Sequence, residues 1–172
     1  EVLDKIPSND GIKFVKKNDF ENILIKNISK WLSPNQIIEI LASGMVGAKQ
    51  GWIEVPYTET PFSVLKLKVL SPEVNNKKIK VYILSGVSQK KPEDVMRGEE
   101  TQLAGYFMDN PNFSGSICLP GTHSKWVNVK NYHILNFNTF LTGELFEILK
   151  NNSVLKHSLL TEEISEKKLI EG

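Results

Sequence analysis

The segment ICLPGTHSKWV, residues 117–127, joins two apolar runs through a short polar stretch. The first run stops at Pro120, and a strand-like pattern resumes at Lys125. Backbone N–H groups around Gly121 and the hydroxyls beside them can surround an anion, and the Lys125 ammonium would add positive charge. We therefore predict a phosphate-binding loop at the end of a strand, with the candidate residues Gly121, Thr122, His123, Ser124 and Lys125.

Two other kinds of chemistry explain this stretch less well. A hydrolase would need His123 to activate Ser124, but neighbouring residues on an extended chain point to opposite faces. A metal site would need ligand spacing, which the three histidines lack, and the single Cys118 has no partner motif. The pattern GxxxxGK[ST] of nucleotide-binding P-loops is also absent from the sequence.

The composition is that of an ordinary globular domain and excludes several classes of protein. Apolar residues make up 40% of the 172 residues, and 21 Lys plus Arg nearly balance 20 Asp plus Glu. A net charge of +1 gives no bulk attraction for nucleic acid or an acidic membrane. The sequence has one cysteine, no apolar run of bilayer length and no secretion signal at its start. We therefore expect a cytoplasmic protein that binds neither nucleic acid nor membrane.

Hydrophobic periodicity predicts an α/β protein. Strands alternate with helices, and several strands end in glycine-containing loops, which is typical of a sheet that binds ligands at the carboxyl ends of its strands. Asp19 and Thr142 are candidate helix N-caps, and residues 37–42 are typical of a short buried strand. The predicted helices are 19–32, 99–108, 142–151 and the charged tail 161–171; the predicted strands are 37–42, 78–84, 116–119 and a hairpin of 125–129 with 132–137 around Lys130 and Asn131.

Two further loops contain residues suited to binding or catalysis. In SGMVGAKQGW (43–52), the glycines allow a backbone to approach a ligand and Trp52 could form a pocket wall, but an ordinary turn with a packing tryptophan explains the same pattern. In DVMRGEETQ (94–102), Glu99 and Glu100 open a helix. These carboxylates could cap the helix, or one of them could be a general base beside an anion-binding Arg97. The residues alone leave both alternatives open.

Four segments of the chain occur together in an order and spacing typical of one enzyme family. They are SGMVG…GW (43–52), VMRGEETQLAG (95–105), LPGTHSKWV (119–127) and FNTFLTGELFEIL (137–149). In these segments the sequence resembles the 2-dehydro-3-deoxygalactonokinase family, which belongs to the actin-like, hexokinase-related superfamily of sugar kinases. The resemblance extends from about residue 30 to about residue 160. It implies a ribonuclease-H-like (actin-like) ATPase domain, in which helices flank a mixed sheet.

The resemblance also implies an activity, in which ATP with Mg²⁺ phosphorylates the 6-hydroxyl of 2-dehydro-3-deoxy-D-galactonate in galactonate catabolism. By resemblance, PGTHS is the second phosphate-binding motif around ATP, and RGEETQ carries the catalytic base, which is Glu99 with Glu100 as the alternative. Arg97 and Lys125 are candidates to meet the substrate carboxylate or the phosphates. SGMVG resembles the sugar-side loop, so the implied substrate-binding residues are Ser43, Gly44, Met45, Gly47, Trp52 and Arg97.

The sequence also departs from the family's pattern. The first phosphate motif, an Asp-Xaa-Gly-Thr hairpin, and the adenosine-binding motif are not found in these 172 residues. We therefore expect a fragment: a single partial domain over 1–172, mostly the sugar-side (N-terminal) lobe, without the nucleotide-side lobe and inactive by itself. The alternative is a non-catalytic module that binds a sugar acid. An exposed sheet edge would favour a homo-oligomer.

Overall fold

The computed structural model describes residues 2–158, which form three α-helices and ten strands. The helices are α1 (Phe20–Ile28), α2 (Glu99–Asp109) and α3 (Thr142–Asn152). The strands are β1 (Ile38–Ala42), β2 (Thr58–Glu59), β3 (Phe62–Ser63), β4 (Val69–Leu70), β5 (Ile79–Leu84), β6 (Val87–Lys90), β7 (Glu93–Met96), β8 (Ser114–Leu119), β9 (Ser124–Lys130) and β10 (His133–Phe140).

The strands form three sheets, with the orders β1-β5-β4, β2-β6-β7 and β3-β10-β9-β8. β1 is parallel to β5 and β2 is parallel to β6, whereas the other neighbouring strands are antiparallel. The predicted class, a mixed α/β protein with flanking helices, is confirmed.

One hydrophobic core lies between the first sheet and α1. β5 is the central strand of that sheet, and its alternate residues Ile79, Val81 and Ile83 are buried, as the period of two in KIKVYIL predicts. α1 contributes Ile28 from its apolar face. β1 lies at the sheet edge, and its side chains alternate between half-buried and exposed. The prediction of a buried strand over 37–42 is therefore wrong in its burial, because among the described strands only β5 pairs with β1.

A second core joins α2 to the antiparallel sheet. Leu103 and Phe107 lie one turn apart on α2 and are fully buried in one cluster with Val127 and Phe137 of the β9–β10 hairpin. Burial of each such side chain contributes roughly 1.5–3 kcal/mol. Gln89 on β6 connects the second sheet to this core, because its side-chain amide accepts from the Phe137 N–H at 2.9 Å and donates to the Phe137 carbonyl at 2.8 Å.

The predicted hairpin forms, with its turn displaced by one residue. His133 pairs with Lys130, so the turn consists of Asn131 and Tyr132, which have φ values of 48° and 66°. Two consecutive positive φ angles are typical of a type I′ turn, whose twist matches that of the strands. β8 pairs with the opposite edge of β9, so residues 120–123 form the turn of a second hairpin.

The predicted helices 99–108 and 142–151 end within one residue of α2 and α3, whereas α1 ends at Ile28, four residues before the predicted end, and a short 3-10 helix (Ser29–Trp31) follows it. Neither predicted cap forms. Asp19 precedes α1, and its side chain makes no capping hydrogen bond. Thr142 is the first residue of α3, and its hydroxyl bonds with the Gly121 carbonyl and the Ser124 hydroxyl instead. The predicted helix over 161–171 lies outside the described residues. None of the helices within residues 2–158 has the length and hydropathy required to cross a bilayer.

Candidate active site

The three loops singled out from the sequence meet around Arg97 and Gly98. The first loop follows β1, and the second follows β7. A Cβ atom on Gly98 would lie 3.4 Å from the Gly44 Cα, and one on Gly47 would lie 3.0 Å from Arg97 Nη1. Gly44 and Gly98 have φ values of 86° and 114°, which favour glycine. Glycines therefore allow the first two loops to pack backbone against backbone.

A polar cavity of about 360 Å³ separates the second loop from the turn between β8 and β9. Glu99 and Gln102 face it from the first turn of α2, three residues apart and hence on one side of the helix. The complete lining is Arg97, Gly98, Glu99, Gln102, Leu119, Pro120, Gly121, Thr122 and His123. The fold thus places a carboxylate and a cation opposite the predicted phosphate-binding turn.

The beginning of α3 holds the 120–123 turn in place. The N–H groups of Gly143 and Glu144 donate to the carbonyls of Gly121 and Thr122, at 3.3 and 3.1 Å. The backbone N–H groups of Thr122 and His123 donate to no acceptor within residues 2–158. The turn therefore has two N–H groups available to an anion, as an anion-binding turn requires.

Ser124 and His123 are held by different partners. The Ser124 hydroxyl is buried, bonds with the Thr142 hydroxyl and accepts from the Gly121 N–H at 3.3 Å. The His123 ring instead pairs with Glu144, with 2.6 Å between Nε2 and Oε2. His123 lines the cavity, but Ser124 does not. The arrangement gives no support to a hydrolase in which His123 activates Ser124, because each side chain is engaged elsewhere.

Lys125 does not line the cavity, in contrast to its predicted role with phosphate or carboxylate. Its ammonium is buried and donates to the Val95 carbonyl at 2.9 Å and to the Thr139 hydroxyl at 2.6 Å. Thr139 in turn donates to Asp94 at 2.7 Å. Lys125 therefore connects β9 to β7 just before Arg97. Because its ammonium is held by these hydrogen bonds, it does not face the cavity.

Arg97 is a cation without a counter-ion in the described part of the chain. It is the single arginine among 21 basic residues. Its Nη2 donates to the Val55 carbonyl at 3.0 Å, and its guanidinium carbon lies 4.3 Å from the centroid of the Tyr57 ring. Its Nε and Nη1 are buried without an acceptor. Because buried charges in proteins are normally paired, this guanidinium indicates an anionic ligand.

The structure separates the two adjacent glutamates. Glu100 is fully buried, and both of its carboxyl oxygens accept from the Gly98 N–H, at 2.9 and 2.8 Å. Burial raises the pKa of Glu100 to about 7, and hydrogen bonds from its own N–H and that of Gly98 oppose the rise. Glu99 lines the cavity, and its Oε2 has no donor. Glu100 therefore has the capping role, whereas Glu99 is available to a ligand.

Unpartnered buried polar atoms are concentrated in this one stretch. In residues 2–158, the buried side-chain nitrogen and oxygen atoms without a hydrogen bond are Arg97 Nε and Nη1, Glu99 Oε2 and Thr101 Oγ1. Folded proteins pair the large majority of such atoms, so exceptions need an explanation. All four lie within five residues, and those of Arg97 and Glu99 belong to residues that line the cavity, so these two side chains are the strongest candidates to meet a ligand.

Comparison with known proteins identifies the family of the chain. The model of the family described as 2-keto-3-deoxy-galactonokinase matches residues 1–172. The chain belongs to this family. The sequence resemblance to 2-dehydro-3-deoxygalactonokinases is therefore confirmed.

Two curated relatives of the galactonokinase family are similar to most of the chain. "Probable 2-dehydro-3-deoxygalactonokinase DgoK1" of Rhizobium meliloti (strain 1021) is 36% identical over 160 residues, which is 92% of this chain and 52% of the relative. The 2-dehydro-3-deoxygalactonokinase of Escherichia coli (strain K12) is 38% identical over 130 residues, or 73% of this chain and 42% of the relative. The chain spans about half the length of the curated relatives it matches.

A solved structure of the same family has the same fold. A crystal structure assigned as a 2-dehydro-3-deoxygalactonokinase from Sinorhizobium meliloti matches with a TM-score of 0.82 and 34% sequence identity. The match covers 95% of this chain and 54% of that chain.

Several residues that the resemblance implied for the galactonokinase sugar-side loop lie outside the cavity. Trp52 stacks on Phe20 of α1, with 5.9 Å between ring centroids and 10° between planes. Trp52 thus packs as one alternative predicted, and it lines two other cavities, of about 290 and 450 Å³, rather than this one. Ser43 and Met45 are exposed and do not line the cavity, whereas Gly44 and Gly47 contact the second loop, as described above.

The resemblance implies ATP and Mg²⁺, and the described residues fit ATP better than Mg²⁺. The 120–123 turn offers unpaired N–H groups suited to phosphate oxygens. Residues 2–158 contain no group of three or more His, Cys, Asp or Glu side chains arranged to hold a metal. We therefore derive no step through a metal ion.

Two residues near the site were missed by sequence reasoning. Gln102 lines the cavity, and its spacing of three from Glu99 on a predicted helix could have revealed it. Tyr57 contacts Arg97 from a segment 40 positions earlier, and no local pattern points to that contact.

Proposed function

We propose that this chain contributes the sugar-acid site and the phosphate-binding turn of an ATP-dependent kinase that phosphorylates the 6-hydroxyl of 2-dehydro-3-deoxy-D-galactonate in galactonate catabolism. The observation that carries the proposal is the cavity in which Arg97 and Glu99 face the 120–123 turn. A kinase of this kind needs a base, an anchor for the substrate and a phosphate-binding element around one space, and these residues can supply all three.

Glu99 is the proposed general base. Its carboxylate accepts the proton of the sugar hydroxyl as the hydroxyl oxygen attacks the γ-phosphorus of ATP. The bond from the γ-phosphorus to the bridging oxygen breaks, the new phosphate ester forms, and ADP leaves with the electron pair of the broken bond. The unpartnered Glu99 Oε2 supports this role, since it is free to accept a hydrogen bond from a ligand hydroxyl.

Arg97 is the proposed partner of the substrate carboxylate rather than of the phosphates. Its Nη1 lies close to Gly47 of the first loop, and its Nη2 is bonded to Val55. The phosphates are assigned to the Thr122 and His123 N–H groups on the other side of the cavity. An anchored guanidinium can hold a carboxylate through several N–H donors, which a lysine ammonium does with less geometric specificity.

The remaining assignments are part of the same proposal. Residues 1–172 form one partial domain that is mostly the sugar-side lobe, the protein is cytoplasmic, and the cofactors are ATP and Mg²⁺, for which the described residues supply no metal site of their own. In the described residues each of the three sheets has two edge strands, which are β1 and β4, β2 and β7, and β3 and β8. Open edges favour pairing with a second copy. We therefore expect a light-scattering mass above 19.5 kDa, and a monomeric mass would contradict self-association.

Sugar-acid binding is the direct test of the proposed site. We expect calorimetric titration of the chain with 2-dehydro-3-deoxy-D-galactonate to show binding that Arg97→Met or Glu99→Ala weakens at least tenfold, on the order of 1.4 kcal/mol. The Arg97 change removes a cation, so Lys150→Met, which removes an exposed cation on α3, is the matched control. Glu147→Ala is the corresponding control for Glu99.

The control variants distinguish a specific site from a general effect of charge. Equal weakening by the control variants would mean that overall charge rather than the cavity controls affinity. No binding at millimolar ligand by the folded chain would contradict a sugar-acid site formed by these residues.

A further inference from the structure

We infer that Tyr57 is a positioning residue, whose ring orients the Arg97 guanidinium toward the substrate carboxylate. Tyr57 lies in the irregular segment just before β2 and was not among the sequence candidates. The inference rests on the proposed function, because it assigns Tyr57 to the sugar-acid site defined by Arg97.

Tyr57 and Val55 hold different parts of the same guanidinium. The Tyr57 ring lies against the guanidinium carbon at 4.3 Å, and the Val55 carbonyl accepts from Nη2 at 3.0 Å. The guanidinium carbon lies over the face of the ring, and no hydrogen bond joins Tyr57 to an Arg97 N–H group within residues 2–158. Nε and Nη1 consequently keep their N–H groups unpaired. The ring and the Val55 carbonyl together fix the orientation of the guanidinium, and the Nε and Nη1 N–H groups remain available to an anion.

The segment that carries Tyr57 is itself anchored to the site. Val55 is fully buried, and its N–H donates to the Gly47 carbonyl at 2.9 Å. The Thr58 N–H donates to the Gly86 carbonyl at 2.9 Å. The ring position is therefore fixed from both sides of Tyr57, at the first loop and at the junction of β5 and β6.

Gly86 makes room for the ring. A Cβ atom on Gly86 would lie 2.7 Å from Cε1 and 2.9 Å from Cδ1 of Tyr57, closer than real Cβ contacts. Only a residue without a side chain allows the ring to rest directly on this backbone. Because packing holds the ring, we expect the aromatic face of Tyr57, and not its hydroxyl, to matter.

The pairing also explains why the cation is an arginine in a chain whose other 20 basic residues are lysines. A planar guanidinium can be oriented by an aromatic face, whereas an ammonium, which also binds such faces, has no plane for the ring to orient. The Tyr57 contact should therefore lose its effect when Arg97 is replaced by lysine, and this dependence distinguishes positioning from a general structural role.

The test measures 2-dehydro-3-deoxy-D-galactonate binding to five forms of the full 172-residue chain by calorimetry: wild type, Tyr57→Phe, Tyr57→Leu, Arg97→Lys and the double variant Arg97→Lys with Tyr57→Leu. We expect Tyr57→Phe to bind within twofold of wild type and Tyr57→Leu to bind about tenfold more weakly. In an Arg97→Lys background, Tyr57→Leu should change affinity less than twofold further. Thermal unfolding of each variant checks that it is folded, and Tyr57→Met replaces the leucine variant if that variant unfolds.

The outcomes distinguish the two proposals. Binding by wild type with unchanged binding by the folded ring-free variant overturns the role of Tyr57 alone. An equal tenfold loss in the Arg97→Lys background also overturns it, because the effect would then not act through the guanidinium. Absence of binding to wild type overturns the proposed sugar-acid site and the inference that rests on it.

Discussion

We expect the wild-type chain to lose stability between pH 4.5 and about 7, and we expect Glu100→Gln to remove this pH dependence. Burial raises the pKa of Glu100 from 4.5 in the unfolded reference to about 7, so the folded state binds its proton more tightly. This stabilisation is fully present below pH 4.5 and is lost as the pH rises through the folded-state value. The loss is on the order of 3 kcal/mol, because each pKa unit corresponds to 1.36 kcal/mol.

Denaturant unfolding at pH 5 and pH 8 measures this effect. The free energy of unfolding of Glu100→Gln relative to wild type should rise by roughly 2–3 kcal/mol between the two pH values. Titrating groups that do not interact with Glu100 change both proteins alike, so the difference reports Glu100 together with its interaction with Glu99. Glu147→Gln, at an exposed position of α3, is the matched control and should show no such rise. A constant difference for Glu100→Gln would mean that its carboxyl is not held protonated by burial.

Alanine at Gly143 will destabilise the chain by about 2 kcal/mol, although alanine favours helices over glycine. A Cβ atom on Gly143 would lie 2.8 Å from the Gly121 carbonyl oxygen and 2.9 Å from the Thr122 Cα. These are backbone atoms of the 120–123 turn and cannot move aside as a side chain does. Either α3 or the turn must shift, and the hydrogen bonds from Gly143 and Glu144 to the turn weaken.

Gly105→Ala is the matched control for this prediction. Gly105 also lies in a helix, α2, but an added Cβ would meet nothing within 4 Å. We therefore expect this variant to be stabilised by roughly 0.5–1 kcal/mol, the ordinary helix preference of alanine. Thermal and denaturant unfolding compare the two. Equal stabilisation by both substitutions would show that the contact between α3 and the turn is not tight.

Local patterns in the sequence predicted much of the fold. The period of two in KIKVYIL predicted the central strand β5, and the periodicity after Gly98 predicted α2. Such patterns depend on neighbours a few residues apart, so they can be recognised without tertiary information. The prediction of burial was less accurate, since the apolar run over 37–42 forms an edge strand. The number of partners of a strand depends on distant segments of the chain, which local patterns do not show.

The candidate site was likewise determined partly by the sequence and partly by the tertiary structure. The sequence by itself determined the family and the three loops, since motif order is a property of the chain alone. Only the tertiary structure decided that Glu99 faces the cavity while Glu100 is buried, and that the Lys125 ammonium is bound by Val95 and Thr139. The contact of Tyr57 with Arg97 joins residues 40 positions apart. Residue type shows which chemistry a side chain can perform, but packing between distant segments decides which side chains remain free to perform it.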